Sequence, residues 1–418
     1  MSTTNTTLPF TLQRVRGLAM IIAPLGLLAG LGLSIPLATE LDSVFDKFMQ
    51  AYVYGFWLWF AIPMGSFAFI MIHHMTTGAW SYVSQRIFEA AMRTLPLMLV
   101  LFIPILIGPF TGLHSIYSGW TAATETLPEI VQNKLPYLNP PFWTGRALAY
   151  FAAWIAISMA FNGWSKKLDE TGDALIVKKF RFFAPLCLIF YCLSMTLAAT
   201  DWIISIEAEW WSTMYAPLTW ISQGLTTLSF TVIILSYMGD DKPLSNYLSI
   251  EHYHHLGNLM LGFTVLWAYM SFSQYLIIWS ANLPEEIHYY LNRQANDLNI
   301  LSVILMGFHF LAPLLILLFR RNKRSASRLR TIAFYVLGMR MLDVFWHINP
   351  SFHHPAPGIY WNEVLTHLLV FAGIGGVWMW FFLGELTKRP MLCLNDPHLH
   401  IALGHRDLGH HEEASGHA

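Results

Sequence analysis

The sequence predicts an all-α integral membrane protein of ten transmembrane helices, on three observations. Hydrophobic residues make up 55% of the 418 residues and charged residues only 12%, with a mean hydropathy of +0.46. A soluble domain carries about 25% charged residues. Apolar runs near the roughly 20 residues that cross a bilayer recur ten times. Lysine and arginine are segregated: 19 of the 24 fall in alternate connections and end segments, and four (Lys47, Lys134, Arg146, Arg293) in the others. Positively charged loops stay in the cytoplasm, so both termini are expected there, which requires an even number of spans.

The runs are 17–37, 50–72, 94–115, 142–164, 180–202, 216–238, 257–280, 298–319, 331–348 and 363–386. The first follows Arg14 and Arg16 and reaches Leu37. A signal-peptide apolar region is shorter, about 7–15 residues, so this run is read as a retained helix. The chain divides into a cytoplasmic segment 1–16, a membrane domain 17–389 and a His-rich cytoplasmic tail 390–418. The tail is expected to be solvated or docked on a partner. Connections 116–141, 203–215 and 281–297 are long and aromatic. Trp202, Trp210, Trp211, Trp279 and Trp361 are expected in an interfacial belt, and 203–215 is expected flat on the outer surface. The fifth run ends "AATDWIISIE" (198–207) and the ninth "RMLDVFWHIN" (340–349). Both place Asp and Trp at the outer end after a basic loop. Being four helices apart, they imply two parallel-related four-helix bundles, helices 2–5 and 6–9, with helices 1 and 10 outside them.

Several classes find no support. The net charge of −1 points to no nucleic acid. The three cysteines form no CxxC or CxxCH, and no metal site is expected. Haem is not expected, because no two histidines face one another at matching depth. No P-loop, GxSxG or HExxH stands in a suitable context.

Polar residues inside the apolar runs are few. Arg340 is the one basic residue deep within a run, since Arg146 and Arg181 stand at the ends of theirs. With Asp343 and His347 it is spaced i, i+3, i+7 on one helical face. A charge at the bilayer centre costs ~2.5–3.5 kcal/mol on insertion scales, and pairing Arg340 with Asp343 lowers that cost. The bland reading is an ion pair that fixes packing; the sharper one is a proton-carrying or ligand-binding site. His114, Arg146, Asp201, Gln223, Gln274, Glu363 and His367 fall in the same outer layer. His309 lies near the midplane, and His73, His74, Glu89, His254 and His255 toward the cytoplasm.

The stretches "FSQYLIIWSANLPEEIHYY" (272–290), "HHMTTGAWSYVSQRIFEAAMRTLP" (73–96) and "LDVFWHINP" (342–350) resemble the NrfD/polysulfide-reductase family of quinol-interacting membrane subunits. The resemblance covers nearly the whole chain. Within that family the chain most resembles the second of the two NrfD-like subunits found in alternative complex III. It implies ten helices in two four-helix bundles and a bacterial inner-membrane location. Implied partners are an NrfD-like quinol subunit, an iron–sulfur subunit, multihaem cytochrome c subunits and a terminal oxidase, beside lipids. The implied role is a proton-conducting path and scaffolding without a redox centre or covalent cofactor of its own.

Three functions follow as expectations. In the first, Asp201, His309, Arg340, Asp343 and His347 form a proton path. In the second, His114, Asp201, Gln274 or His347 bind a quinol or menaquinol head-group, because quinol oxidation needs proton acceptors at both hydroxyls. The third is a secondary transporter, for which Pro63, Pro104 and Pro185 are the only hints of broken helices.

Overall fold

The computed structural model describes residues 6–37, 41–76, 78–112, 114–241, 244–295, 298–352, 360–393, 395–396 and 399. His353, His354, Lys242 and the His-rich stretch 400–418 lie outside the described residues. The protein is an all-α membrane protein. Among the described residues there are no strands, and nine helices are long and apolar enough to cross a bilayer. A bent pair, counted as one span, makes ten.

In chain order the spans are α1 (Phe10–Ser34), α2 (Leu41–Thr76), the bent α3 (Ala79–Met92 and Leu95–Thr111), α4 (Pro140–Thr171) and α5 (Ala174–Trp202). They continue as α6 (Tyr215–Met238), α7 (Ile250–Ala281), α8 (Leu298–Leu318), α9 (Ala326–Ile348) and α10 (Trp361–Leu386). Local chemistry sets many ends. Asn139 caps α4 by accepting the Phe142 N–H at 3.0 Å. Gly172 ends it at φ 64°, a conformation glycine adopts without Cβ strain. Asp173 then caps α5 through the Leu175 N–H at 2.8 Å, which closes the tight hairpin.

Two rings of four helices form the body. In the first, α2 packs on α3, α3 on α4, α4 on α5 and α5 back on α2. In the second, α6, α7, α8 and α9 repeat the same cyclic order. The rings meet along α2 and α6, the equivalent first members, whose most apolar stretches are 83% and 89% buried against 50% or less for the other intact spans. A Cβ at Gly65 would lie 2.2 Å from Thr227 Oγ1, so the α2–α6 approach depends on that glycine. Helices α1 and α10 pack together along their length and lean on α2. At Gly26 an added Cβ would meet Gly373 N at 2.7 Å. Lipid supplies no hydrophobic drive between helices, so this close backbone contact is what holds them.

Helix ends that alternate along the chain are tied into two faces. On the face that carries most of the basic residues, Arg86 pairs with Glu89 and Asp169, Arg93 with Glu385 (3.0 Å), and Arg389 reaches the Asn162 carbonyl (2.8 Å). On the opposite face, Lys47 pairs with Glu363 (3.0 Å) and Lys134 caps the Ala208 carbonyl (2.7 Å).

Two expectations change. Segment 203–215 does not lie flat. Ile203, Ile204, Ile206 and Trp210 are buried, and Trp210 stacks on Tyr289 at 3.8 Å. Trp202 is buried too, in an aromatic cluster with Phe60, Phe102 and Phe151. Trp211, Trp279 and Trp361 are exposed. Packing outweighs the interfacial preference of the two buried indoles, inside the first bundle for Trp202 and against Tyr215 and Tyr289 beside the second for Trp210. Pro63, Pro104 and Pro185 stay inside continuous helices. The departures from regular helix fall instead at the α3 bend of 41° and at a π-helical turn, Leu305–Leu311, in α8. These positions are not equivalent between the two bundles.

Candidate functional site

The i, i+3, i+7 spacing on α9 builds a buried polar ladder. Arg340, Asp343 and His347 are 4%, 1% and 9% exposed. Arg340 Nη1 bonds Asp343 Oδ2 and its Nε donates to Thr226 Oγ1 of α6 at 3.3 Å. The other carboxylate oxygen, Oδ1, has no hydrogen bond among the described residues. His347 Nε2 faces it at 3.7 Å, beside the Trp267 indole. His347 Nδ1 is fixed by the Tyr289 hydroxyl at 2.8 Å.

Two cavities touch the ladder and a third lies beyond its outer end. The smallest lies between α2, α6 and α9 and touches Thr219, Gln223, Arg340, Asp343 and His347. A second, of about 360 Å³, lies between α6, α7, α8 and α9 and is lined by Trp267, Gln274, Tyr290, Asp343, Trp346 and His347, among others. Phe272 and Met306 also line it and are exposed, so its mouth opens on the lipid side. Its wall is aromatic and apolar, yet Ser271 Oγ and the Gln274 amide, which faces the Tyr290 hydroxyl, make no well-aligned hydrogen bond among the described residues. Unsatisfied polar atoms at 1% exposure, as for Gln274, cost about 1–3 kcal/mol each. A ligand or water with hydrogen-bonding oxygens offsets that cost. The third cavity, about 430 Å³, opens on the face opposite the basic one. Glu207, Glu209, His288, Asn292, Asn349 and Ser351 line it.

His309 lies on the π-helical turn, a feature frequent at functional positions. Its ring meets the Trp267 ring at 4.2 Å, and neither nitrogen has a hydrogen bond among the described residues. Gln274, His309, Asp343 and His347 therefore all gather around Trp267 or the apolar cavity it lines.

Asp201 and His114 are elsewhere, in the first bundle. Asp201 is fully buried and accepts from Arg146 Nε (2.9 Å), Arg146 Nη2 (2.8 Å) and Tyr150 (3.1 Å). His114 folds back so that its ring occupies the place a Cβ on Gly108 would need. Of the basic-side histidines, His74 stacks on Phe180 at 3.8 Å. His254, His255 and Glu251 approach within 4.8 Å of one another, but Glu251 is taken by Arg324 at 2.8 Å.

Sequence reasoning missed Tyr289, Arg293 and Glu207, which join the ladder to the cavity of the opposite face. Arg293 bonds Glu207 at 3.0 Å and the His347 carbonyl at 2.7 Å. Burial would raise the Glu207 pKa, but Arg293 beside it holds it down at about 2. The bond to Glu207 raises the His288 pKa. The one signal available was opposite charge on two outer connections, with no period to link them.

No protein-family model matches the chain, and no curated protein matches it.

Proposed function

We propose that the chain is a membrane subunit of a quinol-oxidising respiratory complex, of the alternative complex III type, whose second bundle carries protons. It corresponds in this reading to the second NrfD-like subunit. It sits in a bacterial inner membrane with both termini cytoplasmic, beside an NrfD-like quinol subunit, an iron–sulfur subunit and multihaem cytochromes c, and in some assemblies a terminal oxidase. The observation that carries the reading is Asp343, a carboxylate buried within a span, with one oxygen bonded to Arg340 and the other open toward His347 and a cavity. Intramembrane ionisable groups commonly mark proton relays. His347 can take a proton on Nε2 from the Asp343 side, while Tyr289 fixes its ring through Nδ1.

The sequence motifs support the family and the segregated basic residues support the orientation. Reporter fusions after Arg324 and after Glu286 should read opposite sides of the membrane; same-side signals would end the ten-span topology. Solubilisation should bring out iron–sulfur and haem-bearing partners with the chain. A chain that purifies alone, with no redox partner, would count against the assembly. The decisive test is the proton-to-electron ratio of the Asp343→Asn complex in proteoliposomes, which should fall while quinol oxidation continues.

A second reading is favoured by the lipid-side cavity: the chain itself holds a quinol or menaquinol. Gln274 and His347 line that cavity, with Tyr290 and Trp346 as flat walls for a ring. Of the residues first considered for this role, His114 and Asp201 lie in the first bundle and do not line that cavity. Quinone extracted in stoichiometric amount from the isolated subunit, and lost on Gln274→Leu, would establish the second reading.

A further inference from the structure

One buried cation stands between the ladder and the cavity of the opposite face. Arg293 belongs to the short helix Pro284–Gln294 and is 0% exposed. A guanidinium has five N–H donors, and all five are used. Nε donates to the Trp346 carbonyl (3.2 Å). Nη1 donates to the Tyr289 carbonyl (2.9 Å) and Glu207 Oε1 (3.0 Å). Nη2 donates to the His347 carbonyl (2.7 Å) and Ser351 Oγ (2.7 Å). Two of these acceptors are carbonyls at the end of α9, which a helix leaves without internal partners. That much is a capping role.

The position adds a second one. Glu207 and Ser351 line the cavity of the opposite face, whereas Trp346 and His347 line the lipid-side cavity. The guanidinium is therefore part of the wall between them, with its counter-charge on the open side and only neutral carbonyls as partners on the ladder side. Arginine does not lose its proton in proteins, so it carries no protons itself. A fixed arginine is a known kind of barrier to protons and cations in membrane pores.

We propose that Arg293 is an electrostatic gate, a fixed positive charge that keeps cations in the opposite-face cavity from reaching Asp343 and His347. The purpose of the gate rests on the proton-path reading; its test does not.

The test uses the full chain with Cys187, Cys192 and Cys393 replaced by serine, in sealed vesicles presenting the opposite face. Thr219→Cys reports on the space beside Asp343, and Ser351→Cys reports on the outer cavity. Each is reacted with silver ion and with neutral methyl methanethiosulfonate. On neutralising Arg293, as Arg293→Gln or Arg293→Met, silver should reach Thr219→Cys roughly tenfold faster or more, with the neutral reagent unchanged. Arg293→Lys should keep silver slow. Glu207→Gln, which keeps the arginine and removes its counter-charge, should slow silver further and tests the gate even if neutral variants do not insert. The proposal is overturned if silver is not accelerated in an inserted neutral variant, if both reagents accelerate alike, or if Glu207→Gln leaves silver unchanged. An unchanged proton-to-electron ratio in Asp343→Asn would remove the path and leave the gate, and the reverse pattern would remove only the gate.

Discussion

Asp201 and Asp343 sit toward the same end of equivalent helices, α5 and α9, yet their surroundings differ. Asp201 is held across helices: the Arg146 fork from α4 takes both oxygens, and Tyr150 adds a third bond. Asp343 is paired along its own helix, through one oxygen, with Arg340. Its second oxygen faces Trp267 and His347 without a closed bond. In a low-dielectric interior a fully satisfied pair rigidifies, whereas a partly satisfied group stays costly and responsive. The two bundles share a topology, and the number of open lone pairs is what separates a clamp from a candidate carrier.

The largest effect is expected at the clamp. Asp201→Asn leaves Arg146 without its charge partner at a mostly buried position, and breaking such a pair costs about 3–5 kcal/mol. Poor insertion or a strongly lowered melting temperature is the expected readout; an Asp201→Asn protein as stable as the parent would erase the contrast. Asp343→Asn also strands a buried arginine, but it alters one bond where Asp201→Asn alters three, and the Asn oxygen can still accept from Arg340, so it should do less to the fold and more to transport. It should assemble, oxidise quinol and move fewer protons per electron, so an assembled variant with an unchanged ratio would remove Asp343 from any obligatory path. Gln274→Leu sharpens the picture on the cavity side. In quinone-free protein, replacing a poorly satisfied buried amide by an apolar side chain should stabilise the fold by about 1 kcal/mol, and the variant should bind no quinone. A destabilised variant would mean that the amide is satisfied in the membrane.

The smallest effect is at the opposite-face cavity. The Glu207 bond raises the His288 pKa above its ordinary 6.5. The pair's contribution is therefore complete below 6.5 and fades as pH rises through the raised value. His288 is partly exposed, so the pair is worth about 0.5 kcal/mol or less. Melting curves should show His288→Gln slightly less stable than the parent at pH 6 and equal to it at pH 9. A difference that persists at pH 9 would mean that the ring acts through packing.

Sequence periodicity carried the helices because the bilayer imposes one length and one composition on every span. It carried the ladder too, since i, i+3, i+7 is a property of α9 alone. It did not carry the α3 bend, where Leu95–Thr111 forms only the second arm. Nor could it place Trp210, whose stacking on Tyr289 joins connections about 80 residues apart. Arg293 was legible only as a basic residue on the less basic side. Its five acceptors come from three separate segments, and no local pattern announces such a meeting. For the same reason Asp201 resembled Asp343 in sequence: the bonds from Arg146 and Tyr150 that distinguish it come from another helix.

The glycine contact between α1 and α10 has a consequence for how the protein is made. Gly26 and Gly373 are more than three hundred residues apart in the chain. At about 5–20 residues synthesised per second, α1 is in the membrane for on the order of 20–70 s before its partner is complete. During that interval the small-residue face of α1 has lipid or an insertion factor against it, and α10 must displace whatever is there. Synthesis of α10 is thus read out by a single late docking event, and a ribosome stall between α9 and α10 would leave that face of α1 without its partner.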